Sequence, residues 1–99
     1  MIPKYEAIGL IATAIERSAL VATMLRAGNH VHDKKLPPDD LRRLTNERLV
    51  AIGKQARSTP SLDRHLKHLE RAGIVGRNPE HGYFLTPEGR QIVEELVAP

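Results

Sequence analysis

Cysteine and tryptophan are both absent from the 99-residue chain, which also contains only one Phe and two Tyr. Without cysteine, the chain can form neither disulfide bonds nor thiolate metal sites. Its core has to be built from aliphatic side chains, which supply most of the 40% hydrophobic content. A chain of this size suits one compact hydrophobic core, so the sequence predicts a single domain over residues 1–99.

Long hydrophobic runs and targeting signals are also missing. No uninterrupted apolar stretch approaches the roughly 20 residues that cross a bilayer. The first residues lack the positive region and apolar run of a signal peptide. These absences predict a soluble, cytoplasmic protein with no membrane partner.

Catalytic motifs are absent from the sequence as well. It contains no Gly-rich phosphate loop, and its few serines lie near helix starts rather than in a recognisable Ser-His-Asp arrangement. We therefore expect no enzymatic activity and no cofactor. The net charge of +3 is compatible with a nucleic-acid partner without requiring one, so the placement of the charges matters more than their sum.

The N-terminal third predicts one long helix over residues 4–28. Pro3 suits a first helical position, no proline follows before residue 28, and Gly28 is a typical C-terminal stop. The apolar residues of this helix cover more than one stripe, so it needs a second partner besides the core. We expect homodimerisation through this helix, because an unpaired stripe would leave an exposed apolar patch. The alternative is that the helix buries all of its apolar residues within one chain.

Residues 38–72 predict a helix-turn-helix. Pro38 can open the first helix, whose apolar spacing continues to Ala56 either as one helix or as two pieces broken near Thr45. Ser58 or Thr59 can cap a second helix that begins at Pro60 and ends at Gly73. Residues 74–86 then predict a short β-hairpin, and residues 87–97 a last helix opened by a threonine–proline pair.

The helix over residues 60–72 has two different faces. At about 100° per residue, Leu62, Leu66 and Leu69 fall on one side. The opposite side carries Ser61, Arg64, Lys67, His68 and Arg71. Such a face is suited to reading DNA bases and phosphates, although a charged outer face of an isolated helix is more often simply solvated.

Two local patterns resemble bacterial and archaeal winged-helix regulators of the MarR, ArsR and PadR type. The first is His65-Leu66 followed by Leu69-Glu70 and by Gly73-Ile74-Val75, which in those families closes the recognition helix. The second is Leu85-Thr86 followed by Gly89, which ends the wing. The resemblance covers approximately residues 41 to 97 and does not resolve one family.

The resemblance implies a winged helix-turn-helix fold, mainly α with a small β-hairpin wing, together with the long N-terminal helix. It implies a transcriptional regulator that binds double-stranded DNA sequence-specifically as a homodimer in the prokaryotic nucleoid, with half-sites about 34 Å apart. The residues implied near DNA are Ser61, Arg64, Lys67 and His68 at bases with Arg71 on the same face, Ser58 and Thr59 at phosphates, Arg77, Asn78 and His81 on the wing, and Lys54 and Arg57 at the backbone.

Other functions remain open from the sequence. Winged helices also serve as protein–protein interaction modules within larger complexes, and an apolar ligand could lie between the long helices. Metal binding is disfavoured: His30, His32 and Asp33 have acceptable donor atoms but lie in a polar loop without an assignable further ligand. His65 and His68 diverge on their helix. No metal site is therefore predicted.

Overall fold

The structure is a computed structural model that describes residues 2–28, 36–80 and 82–97. It is mainly helical with one small antiparallel hairpin in the described residues, which confirms the prediction of a mainly α chain with a small β-hairpin. The elements in chain order are α1 (Lys4–Ala12), α2 (Ile15–Arg26), α3 (Pro38–Ala51), α4 (Thr59–Arg71), β1 (Val75–Asn78), β2 (Gly82–Leu85) and α5 (Pro87–Val97). Of the polar loop predicted over residues 29–37, residues 29–35 lie outside the described residues.

The single helix predicted over residues 4–28 is wrong, because the chain breaks into α1 and α2, which meet at a bend of 107°. Ala14 has an extended backbone, with φ −138° and ψ 121°. Ser18 stabilises the break by donating a hydrogen bond from Oγ to the Ile11 carbonyl at 2.8 Å. The apolar residues cover too much of the circumference for one straight helix to bury, and the bend lets both segments turn their apolar sides inward.

The two segments bury many of their apolar residues within the single chain, while Ile8, Leu10, Ile15 and Leu25 remain partly exposed. Those with little or no exposure are Ala7, Ile11, Ala19, Leu20, Val21, Ala22 and Met24. Among the described residues, no single helix is long and apolar enough to cross a membrane, and α1 and α2 reach that length and composition only as the bent pair.

α3 is one continuous helix that ends at Ala51, although the apolar spacing continues to Ala56. Thr45, where a break was considered, is fully buried inside it. Gly53, at φ +83°, ends the helix: its N–H donates to the Val50 carbonyl, and the Lys54 N–H donates to the Leu49 carbonyl at 2.8 Å. This pair of bonds is a Schellman motif, which favours glycine because of the positive φ. Apolar residues continue at helical spacing beyond Ala51, but the helix does not. Ile52 is therefore 54% exposed.

α4 begins and ends close to its predicted positions. Ser58 is the N-cap, and its Oγ accepts a hydrogen bond from the Ser61 N–H at 3.3 Å. At the other end, Gly73 and Ile74 donate their N–H groups to the Glu70 and Leu69 carbonyls, which repeats the Schellman motif. These two local signals fix the length of α4.

The hairpin is attached to α5 through Thr86. Its strands pair from Val75 opposite Leu85 to Asn78 opposite Gly82. Thr86 Oγ1 donates to the Gly73 carbonyl at 2.6 Å and accepts from the Gly89 N–H at 2.9 Å. One hydroxyl thus caps α5 and fixes the hairpin to the end of α4.

The core lies between α4 and the other elements. α4 contributes Leu62, Leu66 and Leu69, all fully buried. They belong to one cluster that also contains Leu20, Met24, Leu41, Ile74, Leu85 and Val93. Because its inner face is locked into this cluster, the opposite face of α4 is held outward.

Candidate nucleic-acid interface

The outer face of α4 has the composition that the sequence indicated. Arg64, Lys67, His68 and Arg71 are exposed and Ser61 is partly exposed, while the leucines on the other side are buried. These five residues, which we call the α4 outer face, span an arc of about 120° at 100° per residue. The structure therefore brings the predicted base-contacting residues together on one surface.

The α4 outer face brings together three cations that contact no carboxylate among the described residues. Arg64, Lys67 and Arg71 form no ion pair within the described part of the chain. Asp63, the acidic residue next to Arg64, contacts Arg42 of α3 at 2.9 Å instead. Cations that do contact a carboxylate are Lys4, Arg42, Arg43, Arg57 and Arg90.

The residues at the start of α4 are divided between structure and surface. Ser58 and Thr59 are exposed beside the first turn, as expected for residues near a phosphate. The Ser58 oxygen already accepts the Ser61 N–H, so any phosphate contact has to come from its hydroxyl hydrogen. Lys54 lies in the preceding loop, exposed and without an acidic partner among the described residues.

Arg57, predicted near the DNA backbone, is held by other residues of the chain. Its Nε donates to Glu16 Oε1 at 2.9 Å, and a second guanidinium nitrogen donates to the Gln55 carbonyl at 3.1 Å. Its backbone N–H and carbonyl bond to the side-chain amide of Asn46 at 2.8 and 3.0 Å. Arg57 thereby fixes the loop before α4 to both α2 and α3.

Glu16 is a site residue that the sequence analysis missed. Its carboxylate also lies 3.5 Å from Nε2 of His65 on α4, so one side chain of α2 reaches both the loop and the helix. The hydrogen bond from Arg57 holds the pKa of Glu16 below its usual range, against the opposite effect of burial. No local pattern could have indicated it, because its partners lie more than forty residues away along the chain.

His65 packs at the margin of the core, as the sequence indicated. Burial lowers the pKa of its imidazole, although the nearby Glu16 carboxylate acts in the raising direction. Its Nδ1 is buried and has no hydrogen-bond partner among residues 2–28, 36–80 and 82–97. The ring of His68 stands edge-on to it, with centroids 6.4 Å apart, but itself lies exposed on the outer face.

The hairpin contributes few groups to the candidate interface. Arg77 is exposed, with its guanidinium carbon 5.6 Å from the centroid of the Tyr83 ring. Asn78 Oδ1 accepts the Glu80 N–H at 2.8 Å, so this side chain shapes the turn. His81, the third predicted wing residue, lies outside the described residues.

The donor groups for metals do not cluster in the described ranges. No group of three or more His, Cys, Asp or Glu side chains with metal-binding geometry occurs within residues 2–28, 36–80 and 82–97. His30, His32 and Asp33 lie outside these ranges.

Comparison with known proteins yields no relative. The chain matches no protein-family model, and searches of curated proteins and of solved structures found no significant match.

Proposed function

We propose that this protein is a winged-helix DNA-binding protein in which α4 enters the major groove and the β1–β2 hairpin is the wing. The carrying observation is the α4 outer face: three exposed cations without acidic partners on a helix whose other face is fixed in the core. Arginine and lysine donors presented in this way suit guanine edges and phosphates. A merely solvated helix face would be expected to mix both charges, as α3 does.

The order of elements supports the same proposal. α3, a loop over residues 52–58, α4, the hairpin and α5 follow one another as the helices and wing of a winged-helix domain do. The loop is longer than the three- or four-residue turn of many helix-turn-helix motifs. Its last part is nevertheless fixed by Asn46 and Glu16, so the start of α4 is held in place.

We further propose that the protein acts as a homodimeric transcriptional regulator. Several of the apolar residues that suggested a dimer, among them Ile8, Ile15 and Leu25, are only partly buried within the single chain. A groove between α1, α2 and α5 offers a further surface for a second copy. The groove encloses about 340 Å³ and is lined by Ile11, Ala12, Ser18, Val21, Val93 and Leu96. Leu96 at its rim is 40% exposed. Sedimentation of the wild type and of Leu96→Glu tests this, and a monomeric wild type at all concentrations contradicts it.

The binding experiment uses fluorescence anisotropy with random duplexes and with duplexes taken from upstream of the gene, at two salt concentrations. We expect a steep loss of affinity as salt rises, because binding releases counterions from DNA. The variant Arg64→Gln/Lys67→Gln/Arg71→Gln should lose binding. The matched control is Arg43→Gln/Arg90→Gln, which removes cations already paired with carboxylates. Absence of wild-type binding to any duplex at low salt would refute the proposal.

A protein-interaction module is the second candidate. It is favoured by Val50 and Ile52, which are 59% and 54% exposed at the end of α3. An apolar contact there would depend little on salt, in contrast to DNA binding. The double variant Val50→Ser/Ile52→Ser separates the two, because DNA binding through the α4 outer face should survive it.

A further inference from the structure

Two arginines line a pocket between α2 and α3 that the proposed DNA interface does not use. Arg26 lies in the last turn of α2 and Arg48 in the last turn of α3. Together with Thr23, Ala27 and Leu44 they surround a space of about 260 Å³. The pocket therefore combines two positive charges with a largely apolar floor.

Neither guanidinium has a partner in the described part of the chain. Within the described residues, Arg26 and Arg48 form no ion pair and donate no side-chain hydrogen bond. Their neighbours on α3 behave differently: Arg42 contacts Asp39 and Asp63, and Arg43 contacts Asp40 and Glu47. The acidic residues of α3 are thus taken by the other two arginines.

Arg48 is partly withdrawn from solvent without a counter-ion among the described residues. Its side chain is only partly exposed, and both burial and the charge of Arg26 lower the pKa of its guanidinium. Withdrawing a charged group from water beside a like charge is unfavourable unless an opposite charge compensates. The Thr23 hydroxyl does not compensate, because it donates to the Ala19 carbonyl at 2.7 Å.

We propose that Arg26 and Arg48 bind a phosphate-type oxyanion in this pocket. Arginine matches the geometry of phosphate oxygens with two parallel N–H groups, and two arginines balance the charge of a doubly ionised phosphate. The phosphate group belongs either to a small free anion or to a DNA backbone, and the two sources are distinguishable. The site does not depend on the α4 outer face, so it stands or falls separately from the proposed function.

The primary test is a titration of the full chain with inorganic phosphate, against sodium chloride at equal ionic strength. The readouts are the Nε–Hε NMR signals of the arginines and the Tm. We expect saturable shifts of the Arg26 and Arg48 signals and a rise in Tm with phosphate alone. Arg26→Gln and Arg48→Gln should each weaken binding on the order of tenfold or more, which is the scale of losing a charge-assisted pair.

Two further variants make this result specific. Arg43→Gln should bind phosphate as the wild type does, because Arg43 is already paired. Arg48→Lys should bind with intermediate affinity, since lysine keeps the charge but not the forked geometry. Exposed Arg26 provides a variant that is expected to fold even if Arg48→Gln does not. Non-saturable shifts, equal shifts in chloride, or undiminished binding by Arg26→Gln would overturn the proposal.

A duplex-DNA arm identifies the source of the phosphate. If Arg26→Gln weakens both phosphate and DNA binding while Arg43→Gln weakens neither, the pocket takes a backbone phosphate. If it weakens phosphate binding and leaves DNA binding unchanged, or if no DNA binding exists, the pocket takes a free anion. Both results support the oxyanion site, whereas loss of DNA binding without any phosphate binding contradicts it.

Discussion

Arg57 and Glu16 are joined by a hydrogen bond of 2.9 Å between Nε and Oε1, although 41 residues separate them in the chain. This bond ties the loop before α4 to the first turn of α2. It also uses a side chain that the sequence assigned to DNA. The first contribution of Arg57 is therefore to hold the candidate interface in shape.

Glu16→Gln should lower the free energy of unfolding at pH 7 by about 1–2 kcal/mol, since it weakens a charge-assisted hydrogen bond on a side chain only 15% exposed. The bond from Arg57 holds the Glu16 pKa below its ordinary value of 4.5. The carboxylate therefore stabilises the fold above pH 4.5, and this contribution is lost as pH falls through the lower folded pKa.

Urea unfolding at pH 7, 4.5 and 3 measures the effect. The difference between wild type and Glu16→Gln should narrow towards pH 3. Glu47→Gln, which removes an exposed partner of Arg43, is the control and should change stability little at any pH. A difference that stays constant down to pH 3 would show that Glu16 acts through packing rather than charge.

His65 should make the fold less stable in mild acid. Burial lowers its pKa below 6.5; Arg17 on α2 and Arg64 and His68 on α4 act in the same direction, and Glu16 opposes them. The folded state therefore disfavours the protonated ring, so stability is complete above pH 6.5 and declines as pH falls through the folded pKa.

The comparison is between His65→Gln and His68→Gln, which remove a partly buried and an exposed imidazole on the same helix. Thermal unfolding at pH 7 and pH 5 should show a smaller acid-induced drop in Tm for His65→Gln than for the wild type. His68→Gln should keep the wild-type drop. The opposite ranking would assign the acid sensitivity to another group.

Arg64→Ala should weaken binding to a preferred duplex by about 1–3 kcal/mol and relax the preference at one base position. Lys54→Ala, in contrast, should weaken binding equally on all DNA sequences, because a phosphate contact carries no sequence information. It should also reduce the slope of log affinity against log salt concentration by about one. Anisotropy titrations on preferred and random duplexes measure both quantities. Equal losses on the two duplexes for Arg64→Ala would count against base reading.

Ser58 allows its two roles to be separated. Ser58→Asp keeps an N-cap oxygen for the Ser61 N–H and places a negative charge where the helix dipole favours it, so Tm should be unchanged or slightly higher. The same charge should weaken DNA binding if phosphates approach this turn. Ser58→Ala is the opposite control: it removes the N-cap oxygen, which should cost about 1 kcal/mol of stability, but adds no charge that would repel a DNA phosphate. Undiminished DNA binding by Ser58→Asp would place this turn away from DNA.

Gly89 should tolerate no side chain, because a Cβ there would overlap the Ile74 carbonyl oxygen. We expect Gly89→Ala to lower the free energy of unfolding by about 1–3 kcal/mol, as overpacking does. Gly9 in α1 is the matched control, with no atom close to its hypothetical Cβ. Gly9→Ala should raise stability by about 0.5–1 kcal/mol, the difference in helix propensity. Urea unfolding measures whether each substitution lowers or raises the free energy of unfolding.

The parts of the fold that the sequence predicted well are those with a local cause. Ser58 as a cap and Gly73 as a stop bound α4 because each acts on hydrogen bonds within a few residues. The same holds for Thr86 before α5. The Leu85–Gly89 pattern, which resembles the end of a wing, has a physical basis in the Thr86 cap and in the close approach of Ile74 to Gly89.

The features that the sequence missed depend on distant contacts. The bend at Ala14 has no proline or glycine to mark it and follows from burying two apolar sides in one core. The contacts of Glu16 with Arg57 and His65 join segments more than forty residues apart. Periodicity assigned α4 its outer face, but it could not tell which cations the rest of the chain would neutralise.

The amide of Asn46 pairs with Arg57 as a neighbouring strand would, through one donor and one acceptor at 3.0 and 2.8 Å. Aspartate has the same shape but lacks the donor, and serine is too short to offer both groups. Few other side chains can therefore replace Asn46 at this position. Among homologues, Asn46 should vary as little as the glycines that end the helices, whereas the proposed function expects Arg64 and Lys67 to change with the DNA sequence bound.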